Sequence, residues 1–184
     1  MFRPLLWPAG QDYRENRFGP KSTQPQDSRE TWFMGVHADV GGGYPETEAQ
    51  LAKFPLYWMI RETEPTGLKY KSRTINELVL GKRGDGRYVQ PSAKAEPHDS
   101  MTVGWSILEF VPRRKPALSK RAAIFGWTIP FFESRIIPEG AWVHASVLAR
   151  GDSPTNLPKH YIEDSSAMPS NVPRGDAIAD GSSG

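Results

Sequence analysis

The run Trp32-Phe33-Met34-Gly35-Val36-His37-Ala38-Asp39-Val40-Gly41-Gly42-Gly43-Tyr44 constrains this chain more than any other stretch, because it drives an apolar segment straight into three consecutive glycines. Trp32, Phe33 and Val36 favour an extended, buried backbone, and residues 30–37 are expected to form a strand. Gly41, Gly42 and Gly43 end any regular element and let the backbone pass close to a neighbour. His37 is thereby delivered to the carboxyl end of a strand, where open α/β sheets build their sites, and it is the candidate general base. The plainer reading makes it a structural histidine. Asp39 would share a side with His37 on an extended chain, but alternate neighbours rarely bond in the manner of a triad, so Asp39 is read as organising the loop. The three glycines are read as site-shaping, either as a nest of N–H groups or as space for an acyl chain. No Lys-Ser/Thr follows them and no Gly-x-Gly-x-x-Gly precedes a helix, so a phosphate-binding loop is not indicated.

From Trp32 to Tyr44 the residues resemble, in order, the Trp-Phe-x-Gly-x-His-x-Asp-Val-Gly-Gly-Gly-Tyr motif of the type VI secretion phospholipase effector-like α/β-hydrolases. The resemblance continues through Trp58-Met59-Ile60 and, more weakly, through His98-Asp99-Ser100, Trp105, Pro112-Arg113-Arg114 and Val143–Leu148. It implies a Ser-Asp-His lipid esterase in which His37 shuttles the serine proton, with no metal or organic cofactor. Such enzymes carry a Gly-x-Ser-x-Gly elbow, then the acid, then the histidine. Gly104-Trp105-Ser106-Ile107-Leu108 is the nearest string; it lacks the second glycine and follows His37. The chain ahead of His37 is too short for the first strands, the elbow and the acid. The expectation is therefore a partial α/β-hydrolase: the last sheet strand plus the helical, loop-rich carboxy-terminal region over residues 1–163, with the nucleophile and the acid Asp supplied by a missing amino-terminal half. The expected substrate of the intact enzyme is a lipid or another ester.

Composition fits a loosely built unit. Hydrophobic residues make up 38% of the 184, and 17 glycines with 17 prolines leave much of the chain to loops. Residues 164–184, rich in Ser, Pro, Gly and Asp, read as a disordered tail. A net charge of +2 is too small to indicate nucleic acid, while a pI near 8.9 is compatible with an anionic lipid surface. The absence of cysteine excludes a disulfide framework and leaves the compartment open. No apolar run suits a signal peptide or a membrane span, so the chain is expected to be made in the cytoplasm, with delivery by a secretion system implied by the resemblance.

Leu51, Phe54, Trp58 and Met59 at helical spacing predict a helix within Glu46–Glu62, beginning near Lys53 because of Pro55 and ended by Pro65-Thr66-Gly67. A second helix is predicted over Thr74–Leu80 and a third over Asp99–Phe110, where His98 and Asp99 read as a helix start with Asp99 as the cap, a second catalytic role being the lesser alternative. Arg113-Arg114-Lys115 reads as a solvated connector, with contact to lipid head groups as the lesser alternative. Phe125, Trp127, Phe131 and Phe132 are expected to pack against the sheet, an interfacial patch being the alternative. Pro138-Glu139-Gly140 marks a turn before a short extended or helical piece at Trp142–Leu148. His144 and His160 have no Cys or Glu at zinc-ligand spacing. Two other classes of function compete with the hydrolase: a non-catalytic domain that binds a partner or membrane surface, and a metal enzyme using His37 and Asp39 as ligands.

Overall fold

The computed structural model describes residues 6, 18, 28–99, 110–115, 122–129, 136–151, 156–170 and 172. Its centre is a parallel sheet in the order β1 (Thr31–Trp32), β4 (Trp142–His144), β5 (Ile162–Asp164). Thr31 pairs with Trp142 and Trp32 with Val143, while Trp142, Val143 and His144 face Ile162, Glu163 and Asp164. Short parallel strands need cover on their faces, and the helices supply it. The architecture is thus α/β, with a small three-stranded sheet.

β1 is shorter than the strand expected over residues 30–37. The chain bends at Gly35, whose φ of +107° belongs to glycine, and turns at Val36 into α1 (His37–Gly41). α2 (Lys53–Thr63) starts where Pro55 demanded. Pro55 occupies its first turn, where backbone N–H groups have no intrahelical acceptor to lose. α2 runs into a short 3-10 turn, Glu64–Thr66, which Gly67 closes in the left-handed region at φ +95°. The helix predicted over Thr74–Leu80 is a turn of α3 (Ser72–Thr74) that widens into a π-turn over Ile75–Val79. β4 leads directly into α4 (Ala145–Leu148), so the segment expected to be extended or helical is both in succession.

Phe54, Trp58 and Ile60 of α2 are buried, as are Val143, Ala145 and Val147 on the sheet side, and Ile60 packs with Val79 and Leu80. Phe33 joins the two layers, lying edge-on to Trp58 at 5.9 Å and stacked on His144 at 4.6 Å. Asp164 fastens the same junction: its Oδ2 accepts from Thr31 Oγ1 at 3.0 Å and from Trp58 Nε1 at 2.8 Å, and its Oδ1 accepts from Ser166 Oγ at 2.6 Å. Burial pushes this carboxyl up, but the hydrogen bonds from Ser166, Trp58 and Thr31 outweigh it and hold the group below its ordinary range. The tail boundary expected at 163/164 therefore falls inside β5, and Asp164, Ala167 and Pro169 are buried. Residues 173–184 lie outside the described residues, as do most of residues 1–27, Trp105, Ser106 and the body of the helix predicted over Asp99–Phe110.

The basic connector is a strand. β2 (Arg113–Arg114) pairs antiparallel with β3 (Trp127–Thr128), apart from the central sheet. Phe125 and Trp127, expected against the sheet, are 98% and 56% exposed; Phe131 and Phe132 lie outside the described residues.

Candidate functional site

The site grows out of the turn after β1. At Val36 the chain enters α1, and Asp39, at the third helical position, folds its carboxylate back so that Oδ2 accepts the Val36 N–H at 2.9 Å. A carboxylate at this position caps the helix and complements its positive end. Gly35 makes room for it: a Cβ there would come within 2.4 Å of the Asp39 Cβ and 2.6 Å of Oδ2. The glycine of the motif is thus fixed twice, by its φ and by the side chain four residues on.

The helical turn also separates the two titratable residues of the motif. Residues two apart on a helix point about 200° apart, so Asp39 turns inward and is buried while His37 is turned out to solvent on the first turn of α1. The extended geometry that would have set them side by side does not form.

Asp39 instead meets a histidine from far along the chain. Its Oδ1 accepts from His98 Nδ1 at 2.6 Å, and Oδ2 accepts the His98 backbone N–H at 3.1 Å. A carboxylate only accepts, so Nδ1 donates to Asp39, and in the imidazolium Nε2 donates outward to Glu48 Oε2, 3.2 Å away. The Tyr44 ring stacks on the imidazole with centroids 3.6 Å apart and planes 16° apart. Hydrogen bonding to Asp39 raises the His98 pKa above its ordinary value; desolvation opposes this, and Glu48 adds to it. The imidazole is thereby fixed in plane and direction by one buried carboxylate and one aromatic ring. That is the relation an acid holds to a general base in a catalytic triad.

Beside the dyad lies a cleft of about 620 Å³, whose lining includes Gly41, Gly42, Gly43, Tyr44, Trp58 and Met59. Gly42 and Gly43 take φ of +81° and +136°, which favour glycine, whereas Gly41 has ordinary backbone angles and open space around its Cα. The glycine run therefore forms part of a cleft wall. Lys53, buried at the same wall, donates to Glu46 Oε1 at 2.6 Å and to the Leu78 carbonyl at 2.7 Å, which ties α2 to the π-turn.

A second buried histidine behaves differently. His144 is fully buried, and its Nδ1 accepts the Ser146 N–H at 3.2 Å and lies 2.8 Å from Ser146 Oγ. Burial lowers its pKa to about 4, against the opposing pull of Asp164 and the Ala167 backbone. It is a neutral packing group at the end of β4. Among the described residues no cluster of three or more His, Asp or Glu side chains could hold a metal ion.

Sequence reasoning placed His98 at a helix start, with a second catalytic role only as the lesser alternative. The signal that pointed to it was the His-Asp-Ser string within the resemblance, and the order of an acid followed by a histidine further along the chain.

Residues 1–62 match the sequence model of the T6SS phospholipase effector Tle1-like catalytic domain. The match takes in β1, Asp39 and the glycines, and ends ahead of His98. An uncharacterized protein of Saccharomyces cerevisiae is 33% identical over 85 residues, which cover 45% of this chain and 12% of that relative. No solved structure matches the chain.

Proposed function

We propose that the chain carries the acid and base of a serine lipid esterase, Asp39 and His98, and that its substrate is a phospholipid or similar acyl ester. The observation that carries the reading is the 2.6 Å bond between the buried Asp39 carboxylate and His98 Nδ1. The family matched by residues 1–62 supports the reaction class, and the order Asp then His agrees with the order of an α/β-hydrolase triad. In this reading His98 takes the role that the sequence motif suggests for His37, and the acid, expected upstream, is Asp39 itself.

The nucleophile would be a serine on a Gly-x-Ser-x-Gly elbow, a string this sequence does not contain, delivered by another segment or chain. Its hydroxyl would approach His98 Nε2 in the place of Glu48, whose side chain is more than half exposed and whose ion pair with His98 is readily exchanged for solvent. Nε2 takes the serine proton as Oγ attacks the acyl carbonyl, and returns it to the departing alcohol as the tetrahedral intermediate collapses to the acyl-enzyme. Water then repeats the cycle and frees the fatty acid. Asp39 holds the imidazole in the required tautomer and stabilises the imidazolium that forms twice per turnover. The cleft beside Tyr44, with Trp58 and Met59 in its wall, offers apolar surface to an acyl chain.

The test is complementation. The chain is combined with an elbow-bearing half from a member of the matched family, and release of fatty acid from phospholipid is measured. Activity is expected to appear, to fall by about 10³-fold or more with His98→Ala or Asp39→Asn, and to survive His37→Ala. Loss with His37→Ala and retention with His98→Ala would return the base to His37 and end this assignment.

A further inference from the structure

We propose that the Ile124–Trp127 hairpin turn, with β2 beside it, is a membrane-docking tip that seats on an anionic lipid bilayer. β3 lies between two partners: Arg114 pairs with Trp127 on one side, and Ile124 bridges to Trp127 on the other through two hydrogen bonds of 2.9 Å. Antiparallel partners share a face, so Ile124, Trp127 and Arg114 form one row across the ribbon. Ile124 is 75% and Trp127 56% exposed, and Arg114 is exposed beside them. The next residue of β3, Thr128, is buried and donates from Oγ1 to the Ala122 carbonyl at 3.0 Å, which fixes the opposite face inward. The outward row is an aromatic, an aliphatic and a cation, the composition that partitions to the boundary between head groups and acyl chains.

The turn adds an independent observation. Ile124 and Trp127 are joined by Phe125 and Gly126, at φ +51° and +80°, the signature of a type I′ turn. Such turns favour Asn-Gly or Gly-Gly, because a side chain at positive φ is strained. Phe125 is the one non-glycine residue at positive φ among the described residues, and it is 98% exposed. A bulky aromatic held in a strained turn and almost fully exposed among the described residues is placed to be buried elsewhere. Lys115, which donates its N–H to the Gly126 carbonyl at 2.8 Å, sets a second exposed cation next to this tip. Cations flanking an apolar tip complement anionic head groups around an inserted ring, and this favours a bilayer over a neutral apolar surface.

The inference stands on the hairpin alone. Vesicle binding needs neither Asp39 nor His98, so failed complementation leaves it untouched, and failed binding leaves the dyad untouched. The experiment is co-sedimentation of the full chain with vesicles of phosphatidylcholine, with and without phosphatidylglycerol. The chain is expected to bind the anionic vesicles and to be released by salt. Phe125→Gly is expected to weaken binding about tenfold, and the pair Arg114→Gln with Lys115→Gln about twenty-five-fold, at roughly fivefold for each cation. Phe125→Gly removes strain, so its melting temperature by circular dichroism should equal or exceed that of the parent chain. Equal binding to both kinds of vesicle, unchanged binding by Phe125→Gly, or self-association that Phe125→Gly abolishes in a chain that ignores vesicles would each overturn the proposal, the last by making the tip a protein interface.

Discussion

Asp39 does two jobs with one carboxylate: it closes the first turn of α1 and it orients a histidine fifty-nine positions further on. The consequence for His98 is a pH dependence with a definite sign. Its folded pKa is raised, chiefly by the hydrogen bond to Asp39, so the stabilisation it provides is complete below the ordinary histidine pKa near 6.5 and fades as pH rises through the higher folded value. Proton NMR titration of the imidazoles should find His98 titrating above 6.5, and Asp39→Asn should bring it down. A His98 that titrates at or below 6.5 in the parent chain would remove the basis for the dyad. The motif pointed to His37, while Asp39 is the member that turns inward and accepts from His98. The difference arises because the apolar run suggested an extended backbone, whereas a capped helical turn forms and rotates the pair apart.

At the level of elements, the joint between β1 and α1 rests on Gly35. Replacement by alanine meets both a positive φ and the Asp39 side chain, so Gly35→Ala should destabilise the protein by about 1–3 kcal/mol. Denaturant unfolding measures this, and an unchanged midpoint would mean that the turn relaxes freely. Much of the element plan was legible in the residues themselves. Pro55 announced the start of α2, Pro65 and Gly67 its end, and the turn at Pro138-Glu139-Gly140 the approach to β4. What could not be read is pairing. Arg113 and Arg114 look like a linker because nothing local states that Trp127 and Thr128 will bond to them, and Asp164 looks like tail because its partners, Thr31 and Trp58, are remote in sequence.

For the molecule as a whole, the buried His144 sets the acid limit. Its folded pKa of about 4 lies below the unfolded value near 6.5, so the stability associated with its neutral form is present above 6.5 and is lost as pH falls toward 4. The loss is on the order of 3 kcal/mol across that range. Urea midpoints measured from pH 7 to pH 4 should fall, and His144→Asn, which keeps an acceptor for the Ser146 N–H but cannot gain a proton, should flatten the slope. A slope identical in the two proteins would assign acid sensitivity to other groups. The class of the fold, α/β, was implied by the resemblance carried by Trp32–Tyr44. The order β1-β4-β5 did not, because parallel neighbours are chosen by contacts between distant segments. That order also sets a timetable for the nascent chain. Thr31 must wait for Trp142, an interval of roughly 110 residues, and ribosomes add about 5–20 residues each second. β1 and the motif behind it therefore emerge on the order of ten seconds before the strand that shelters them, a period in which chaperones, proteases or a waiting partner chain compete for the same apolar edge.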